Sequence, residues 1–245
     1  MLEVTRADRT AVVRLARPER HNALTIEMCD ELRETVETLT TEGIRALVVT
    51  GNGKSFCSGA DLDAVYSAEF RQALYAMLHT IVDAPLPVIA AVNGPAIGAG
   101  TQLAIAADLR VVAPAARFGV PTARIGLAVD PWTIRRLALL AGGGATRRLL
   151  LAAAELDAAT ALACGLADRE GTPDEAIAWA EAITELAPLT VAYSKRVLNE
   201  LFEPELAGET AQQLTAAFEG CWSSADFAEG RLARTERRPP RFLGR

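Results

Sequence analysis

The stretch Pro87–Asp108, PVIAAVNGPAIGAGTQLAIAAD, decides how the rest of the chain is read. It opens with a short apolar run, Val88–Val92, bounded by prolines. It turns at Asn93-Gly94-Pro95, passes through Gly98-Ala99-Gly100, and from about Ala99 has no helix breaker until Asp108. A buried strand, a tight glycine turn and a helix start account for that order of residues. Such a turn leaves backbone N–H groups unpaired at the head of a helix, where the dipole also favours negative charge, so an anion or oxyanion site is a candidate. Two plainer readings compete. The segment Ala84–Ala107 carries no charged residue and is long enough to span a bilayer, but Pro85, Pro87, Asn93, Gly94, Pro95, Gly98, Gly100 and Gln102 interrupt any single helix. The other is a buried strand, turn and helix whose glycines serve only close packing.

The same order recurs along the chain. Ala11–Ala16 reads as a strand, followed by the loop Arg17–Asn22 and a helix capped by Thr25, with Leu32, Val36 and Leu39 on one face. Arg45–Thr50 is a second buried strand running into GNGKSFCSGADL (51–62). Gly53-Lys54-Ser55 in that loop imitates the end of a phosphate-binding loop, but the glycine such a loop needs falls on Val48. Leu109–Ala113 is another strand and Phe118-Gly119-Val120-Pro121 another turn. Asp130-Pro131-Trp132 leads into a helix through Ile134, Leu137 and Leu140. Strands alternating with helices indicate an α/β fold with parallel pairing. Beyond Thr172 the strands stop. Thr172-Pro173-Asp174-Glu175 is a helix start, and further helices are expected at about 190–202, 209–222 and 224–235, with Leu214, Phe218 and Cys221 on one face.

At 245 residues, half of them hydrophobic, the chain has material for a sizeable core. A net charge of −6 argues against general nucleic-acid binding. Six arginines between Arg231 and Arg245 run the other way: they read as a solvated tail, or else as a contact for a phosphate-bearing ligand or a partner chain. Cys29, Cys57, Cys164 and Cys221 form no CxxC pair, so neither a disulfide framework nor a zinc or other metal site is expected, and a reduced, cytoplasmic setting fits. The first ten residues lack the order of a signal peptide. His21 in its loop and His79 after a helical stretch, with no paired carboxylate in sight, read as structural. Cys57 and Ser58 have no recognisable base beside them. The Gly59-Ala60 and Gly98-Ala99 turns have one form, each after a buried strand and before a helix. Two N–H donors from such turns, aimed at one point, would hold a thioester oxygen and bind it more tightly as it gains charge.

RPERHNAL (17–24), GNGKSFCSGADL (51–62), PVIAAVNGPAIGAGTQLAIAADLRVVA (87–113), FGVPTARIGLAVD (118–130) and the RRPPRFLGR tail (237–245) together resemble the enoyl-CoA hydratase/isomerase (crotonase) family over nearly the whole chain. The resemblance implies an α/β fold: a spiral of ββα repeats with an acyl-CoA site over residues 1–188, then a helical region over 189–245 that packs homotrimers, commonly as hexamers. It implies an acyl-CoA or enoyl-CoA ligand, no cofactor apart from the coenzyme A of that ligand, and an oxyanion hole formed by the N–H groups of Ala60 and Ala99. Ser58, Gly59, Asp61, Leu62, Gly98 and Trp132 are its candidate substrate-binding residues.

Departures from the pattern matter as much. The two positions where hydratases of the family carry glutamates hold Gln102 and Thr122. Glutamine keeps the shape but cannot exchange a proton at neutral pH, and threonine is a poor base. A family lysine that helps hold coenzyme A is replaced by Asp63. Asp130 matches a working aspartate of dienoyl-CoA isomerases and aromatic acyl-CoA dehalogenases, and is also an ordinary helix N-cap before Pro131. In these features the chain is similar to actinobacterial, including mycobacterial, members that lack the catalytic glutamates and are thought to bind or deliver fatty acyl-CoA. The function expected is a fatty acyl-CoA binder or carrier in fatty-acid metabolism with weak or no turnover. The alternative is an active enoyl-CoA hydratase, or an enoyl- or dienoyl-CoA isomerase, using Asp130 as acid or base. A protease-like relative of the fold would need a Ser–His–Asp set that the sequence does not offer.

Overall fold

Valine, isoleucine and leucine runs with no charged residue form strands buried on both faces. The computed structural model, which describes residues 1–61, 64–202 and 207–245, places them at the centre. In chain order the elements are β1 (Leu2–Ala7), β2 (Thr10–Leu15), α1 (Ile26–Thr41), β3 (Ala46–Gly51), α2 (Ala68–Asp83), β4 (Val88–Val92), β5 (Pro95–Ile97), α3 (Ala99–Ala106) and β6 (Leu109–Val112). Then come β7 (Arg117–Gly119), α4 (Pro131–Leu151), β8 (Glu155–Asp157), α5 (Ala158–Ala163), β9 (Arg169–Glu170), α6 (Pro173–Thr184), α7 (Pro188–Phe202), α8 (Gly208–Trp222) and α9 (Ala225–Thr235).

Six strands form one sheet in the order β1-β2-β3-β4-β6-β9, parallel except for the β1–β2 hairpin. Alternate residues of β3 face opposite layers: Leu47 and Val49 pack with α1 and α2, while Ala46 and Val48 pack under Ala176 and Ala180 of α6. A second sheet, β5-β7-β8, is extended by a parallel bridge between Cys57 and Ala96. Each of β3, β4 and β6 in the large sheet is thus followed by a segment of the small sheet (Cys57, β5, β7) and then by a helix (α2, α3, α4). This is the expected spiral of ββα repeats.

The helix starts follow local chemistry. Thr25 accepts from the Met28 N–H at 3.2 Å, and Thr172 and Glu175 close a reciprocal capping box. No described helix is long and apolar enough to cross a membrane. The imitation phosphate loop spends its carbonyls internally. Asn22 Nδ2 donates to Asn52 O and Ser55 O, and Asn93 Nδ2 donates to Gly51 O and Gly53 O, all at 2.8–3.0 Å.

Three expectations are corrected. Phe118-Gly119, read as part of a turn, belongs to β7, because pairing with both β5 and β8 outweighs the local glycine signal. His79 lies inside α2 rather than beyond a helix. The arginine-rich C-terminus is docked through its backbone and Arg238, while Arg231, Arg237, Arg241 and Arg245 are exposed as expected. Leu243 and Gly244 donate their N–H groups to Asp226, Arg241 donates its N–H to Glu229, and the Arg238 guanidinium forks onto the Glu229 carboxylate, with Nη2 at 2.9 Å.

Those hydrogen bonds, from Arg238 first, hold the Glu229 carboxyl down to about 2, whereas the unfolded chain returns it to 4.5. The folded pKa is depressed, so this docking contributes fully above the unfolded value and is lost as pH falls through about 2. In urea titrations, Glu229→Gln is expected to lower the unfolding midpoint at neutral pH. The gap to the unmodified protein should close progressively between pH 4.5 and 2.

Candidate functional site

Helix α3 is buried along its whole length, from Ala99 to Ala106, so its backbone ends must find partners inside the protein. At the C-terminal end two buried arginines supply them. Arg136 Nε donates to Ile105 O and its Nη2 to Ala107 O at 3.2 Å, while Arg110 Nη1 donates to Ala107 O at 2.9 Å. Burial holds both guanidinium pKa values below the ordinary range, that of Arg136 at about 10. Guanidinium groups at this end also complement the helix dipole.

At the N-terminal end Ala99 is the first helical residue. Gly98, at φ 56° and ψ −117°, turns the chain into the helix and donates its own N–H to Gly119 O at 2.7 Å. The first N–H groups of a helix have no partner within it. Beside it runs Gly59-Ala60. Leu24 N–H donates to Gly59 O and Asp61 N–H to Leu24 O, at 2.8 and 2.7 Å. In such parallel pairing alternate residues face the partner, so the Ala60 N–H between them points to the opposite side. The two turns approach so closely that a Cβ on Gly59 (φ 105°) would lie 2.8 Å from Ile97 O, and one on Gly100 only 2.1 Å from Cys57 O.

Ser58, Gly59, Ala60, Gly98, Ala99, Gln102 and Thr122 all line one cavity of about 410 Å³. Its remaining wall is largely apolar, with Phe70 and Leu74 from α2, Leu127 and Val129 before α4, and Trp222 from α8. Arg71 clamps α8 there: its guanidinium stacks 4.8 Å from Trp222 and 5.2 Å from Phe218 and pairs with Glu219 at 3.2 Å, while Trp222 Nε1 donates to Ala128 O.

Asp130 and Trp132 are not brought into that group. They line a second, larger cavity of about 940 Å³ together with His79 and residues of α7. Asp130 is the N-cap of α4: its Oδ1 accepts from both the N–H and the hydroxyl of Thr133. Gln102 Nε2 donates to the same Thr133 oxygen at 2.8 Å, so a chain of hydrogen bonds forms the wall between the cavities. Burial raises the Asp130 pKa, and the bonds from Thr133 and the nearby His79 oppose it. His79 lines that cavity with Asp130, and no hydrogen bond or ion pair joins the two. Trp132 packs its ring 5.6 Å from His79.

Asp61 pairs with Arg17 at 3.0 Å, tying the 17–24 loop to the 57–61 turn. Ser58 is exposed and its hydroxyl donates to Arg20 O at 3.4 Å. Cys57 is fully buried and its thiol is pushed up to about 12 by desolvation, which disqualifies it as a nucleophile at neutral pH. Leu62 and Asp63 lie outside the described residues.

The enoyl-CoA hydratase/isomerase family model matches residues 5–245. The chain belongs to that family. It is 46% identical to the probable enoyl-CoA hydratase echA6 of Mycobacterium tuberculosis, across 100% of both chains. Among solved structures it is similar to an enoyl-CoA hydratase/isomerase from Pseudoalteromonas atlantica T6c, with a TM-score of 0.86, 30% identity and 99% coverage of each chain. It shares its fold with methylmalonyl CoA decarboxylase, at a TM-score of 0.92 and 24% identity, covering 100% of this chain and 98% of that one.

Sequence reading missed Tyr75, Trp222, Arg124 and Arg234, which line the first cavity from elements distant in the chain. Arg234 alone carried a signal, as one of the arginines considered for a phosphate contact. Gly100→Ala is expected to cost about 1–3 kcal/mol or more in urea unfolding, because the obstacle to its methyl group is the Cys57 backbone and neither segment can yield without separating the two turns.

Proposed function

We propose that this chain binds fatty acyl-CoA thioesters in the cavity between α2 and α3, with the thioester oxygen held by the N–H groups of Ala60 and Ala99, and hydrates enoyl-CoA weakly or not at all. One observation carries this reading: no described residue lining the cavity is a carboxylate or a histidine, and positions 102 and 122 present an amide and a hydroxyl. Two donors on the carbonyl oxygen bind and polarise a thioester, each worth about 3–4 kcal/mol in transition states that develop charge there. Hydration also needs a proton taken from water and another delivered to carbon, and each absent acid–base group forfeits about 10²–10⁴-fold. The apolar wall suits an acyl chain, and Arg124 and Arg234 place positive charge for the phosphates of coenzyme A. Exposed apolar residues on α7, including Leu189 and Leu201, fit a buried face in a homotrimer or hexamer.

Calorimetry with a saturated long-chain acyl-CoA is expected to give binding, and incubation with crotonyl-CoA and a longer trans-2-enoyl-CoA little hydration. Turnover on the order of hundreds per second, well within the range of active enzymes, would sink the carrier reading.

A second reading is favoured by the half-buried, raised carboxyl of Asp130: an active hydratase or enoyl/dienoyl isomerase using that acid. Any residual turnover should then fall at least about a hundredfold in Asp130→Asn. Unaltered turnover removes Asp130 from the chemistry.

A further inference from the structure

We propose that Arg17 is a positioning residue for the amides that would hold a thioester oxygen: through two successive peptide groups, its guanidinium aims and polarises the Ala60 N–H. This rests on the acyl-CoA reading above and adds to it the residue that makes one of the two donors effective.

Arg17 Nη1 donates to Ala23 O at 2.6 Å. Leu24 N–H, the other end of that peptide group, donates to Gly59 O at 2.8 Å. Ala60 N–H is in turn the other end of the peptide group that carries Gly59 O. A trans peptide is planar, and its N–H points opposite to its C=O. Holding Gly59 O against the 17–24 strap therefore turns the Ala60 N–H away from the strap, and Ala60 lines the first cavity. Each step runs in the same sense, donor to acceptor, with a full positive charge at the head. Hydrogen bonds in such a chain polarise one another, and a charged donor strengthens the first. The second arm of Arg17, Nη2, pairs with Asp61 at 3.0 Å, and Asp61 N–H donates back to Leu24 O at 2.7 Å, so the fork grips both sides of the Leu24–Ala60 bridge. The two side chains are only 17% and 18% exposed, which limits screening of the charge.

The strap is held to this register from behind. His21 and Asn22 both take left-handed backbone, at φ 52° and 57°, a conformation that persists where the surroundings impose it. Asn22 is fully buried: its Oδ1 accepts from Arg17 N–H at 3.0 Å, while its Nδ2 is spent on Asn52 O and Ser55 O. The two amides thus differ in what stands behind them. Ala99 is the first residue of α3, and the Gly98 carbonyl of its peptide group accepts from Gln102 N–H at 3.1 Å, so the helix itself polarises that donor. Ala60 stands outside the described helices, the next of which begins at Ala68. What α3 does for one donor, Arg17 does for the other.

The test uses a saturated acyl-CoA isotope-labelled at its thioester carbonyl, held at saturation, with the carbonyl band read by infrared difference spectroscopy. In the unmodified protein the band should lie below its position in the free ligand, the mark of a polarised carbonyl. Arg17→Met keeps the length of the stem without the guanidinium. It should return the band toward the free position by about 10–30% of that displacement, the strengthening that one bond of such a chain confers. A role confined to holding the loops together would lower the thermal unfolding midpoint of Arg17→Met and leave the band of the bound ligand in place, and that outcome overturns the proposal. Arg17→Lys retains the charge but not the fork, so its band should move part of the way. If Arg17→Met does not fold, an unmoved band in Arg17→Lys overturns the proposal. Either failure spares the acyl-CoA reading. Binding without any band displacement in the unmodified protein removes the pair of amides and this proposal together, whereas absence of binding in calorimetry overturns the acyl-CoA reading and this one with it.

Discussion

A helix buried on every side cannot leave its ends to solvent, and the eight residues of α3 are in that position. Two arginines, one from β6 and one from α4, are drawn almost fully out of water to satisfy the carbonyls at its C-terminal end. Burying a guanidinium is costly unless its hydrogens find acceptors, and backbone carbonyls, with the Asp168 carboxylate for Arg110, supply them. With that end closed by fixed positive charge, the opposite end is where the helix can act on something else. Its first residue, Ala99, lines a cavity, beside a second turn whose Ala60 lines the same wall. The spiral of strands serves this arrangement: successive repeats set α2, α3 and α4 side by side, and the gap between them is the cavity.

The far wall of that cavity is a row of polar groups whose directions are fixed by one another. Asp130 caps α4 and, when ionised, can only accept, so that Thr133 donates to it. Thr133 then compels Gln102 to present nitrogen. As the N-cap of α4, Asp130 lines the second cavity and is linked through Thr133 to Gln102, which lines the first.

Much of the fold was legible because its signals are local. The runs ALVVT and VIAAV have no charge to place in water, Thr25 and Thr172 carry their caps beside them, and the glycine turns announce the two amides at Ala60 and Ala99. β5 and β7 were missed, since strands of three residues exist only through their pairing and Gly119 argues locally for a turn. The C-terminus was misjudged for a related reason. The segment looks free until Asp226 and Glu229, one turn apart on α9, are seen to hold its backbone N–H groups and the Arg238 guanidinium. The cavity was half legible. Residues adjacent to the glycine turns were found, whereas Tyr75 and Trp222, contributed by α2 and α8, look like ordinary core aromatics in their own helices.

By itself the sequence determined the family, the alternation of strand and helix, the two glycine turns at Gly59-Ala60 and Gly98-Ala99, and the amide and hydroxyl at positions 102 and 122. These are properties of residue identity and short-range spacing, and no packing can change them. Only the tertiary structure decided which residues share a cavity, that Asp130 and Trp132 fall on the other side of its wall, and which way the Gln102 amide points. Those depend on side chains dozens of residues apart meeting at one place, where the direction of each hydrogen bond is set by its neighbour's need to donate or accept.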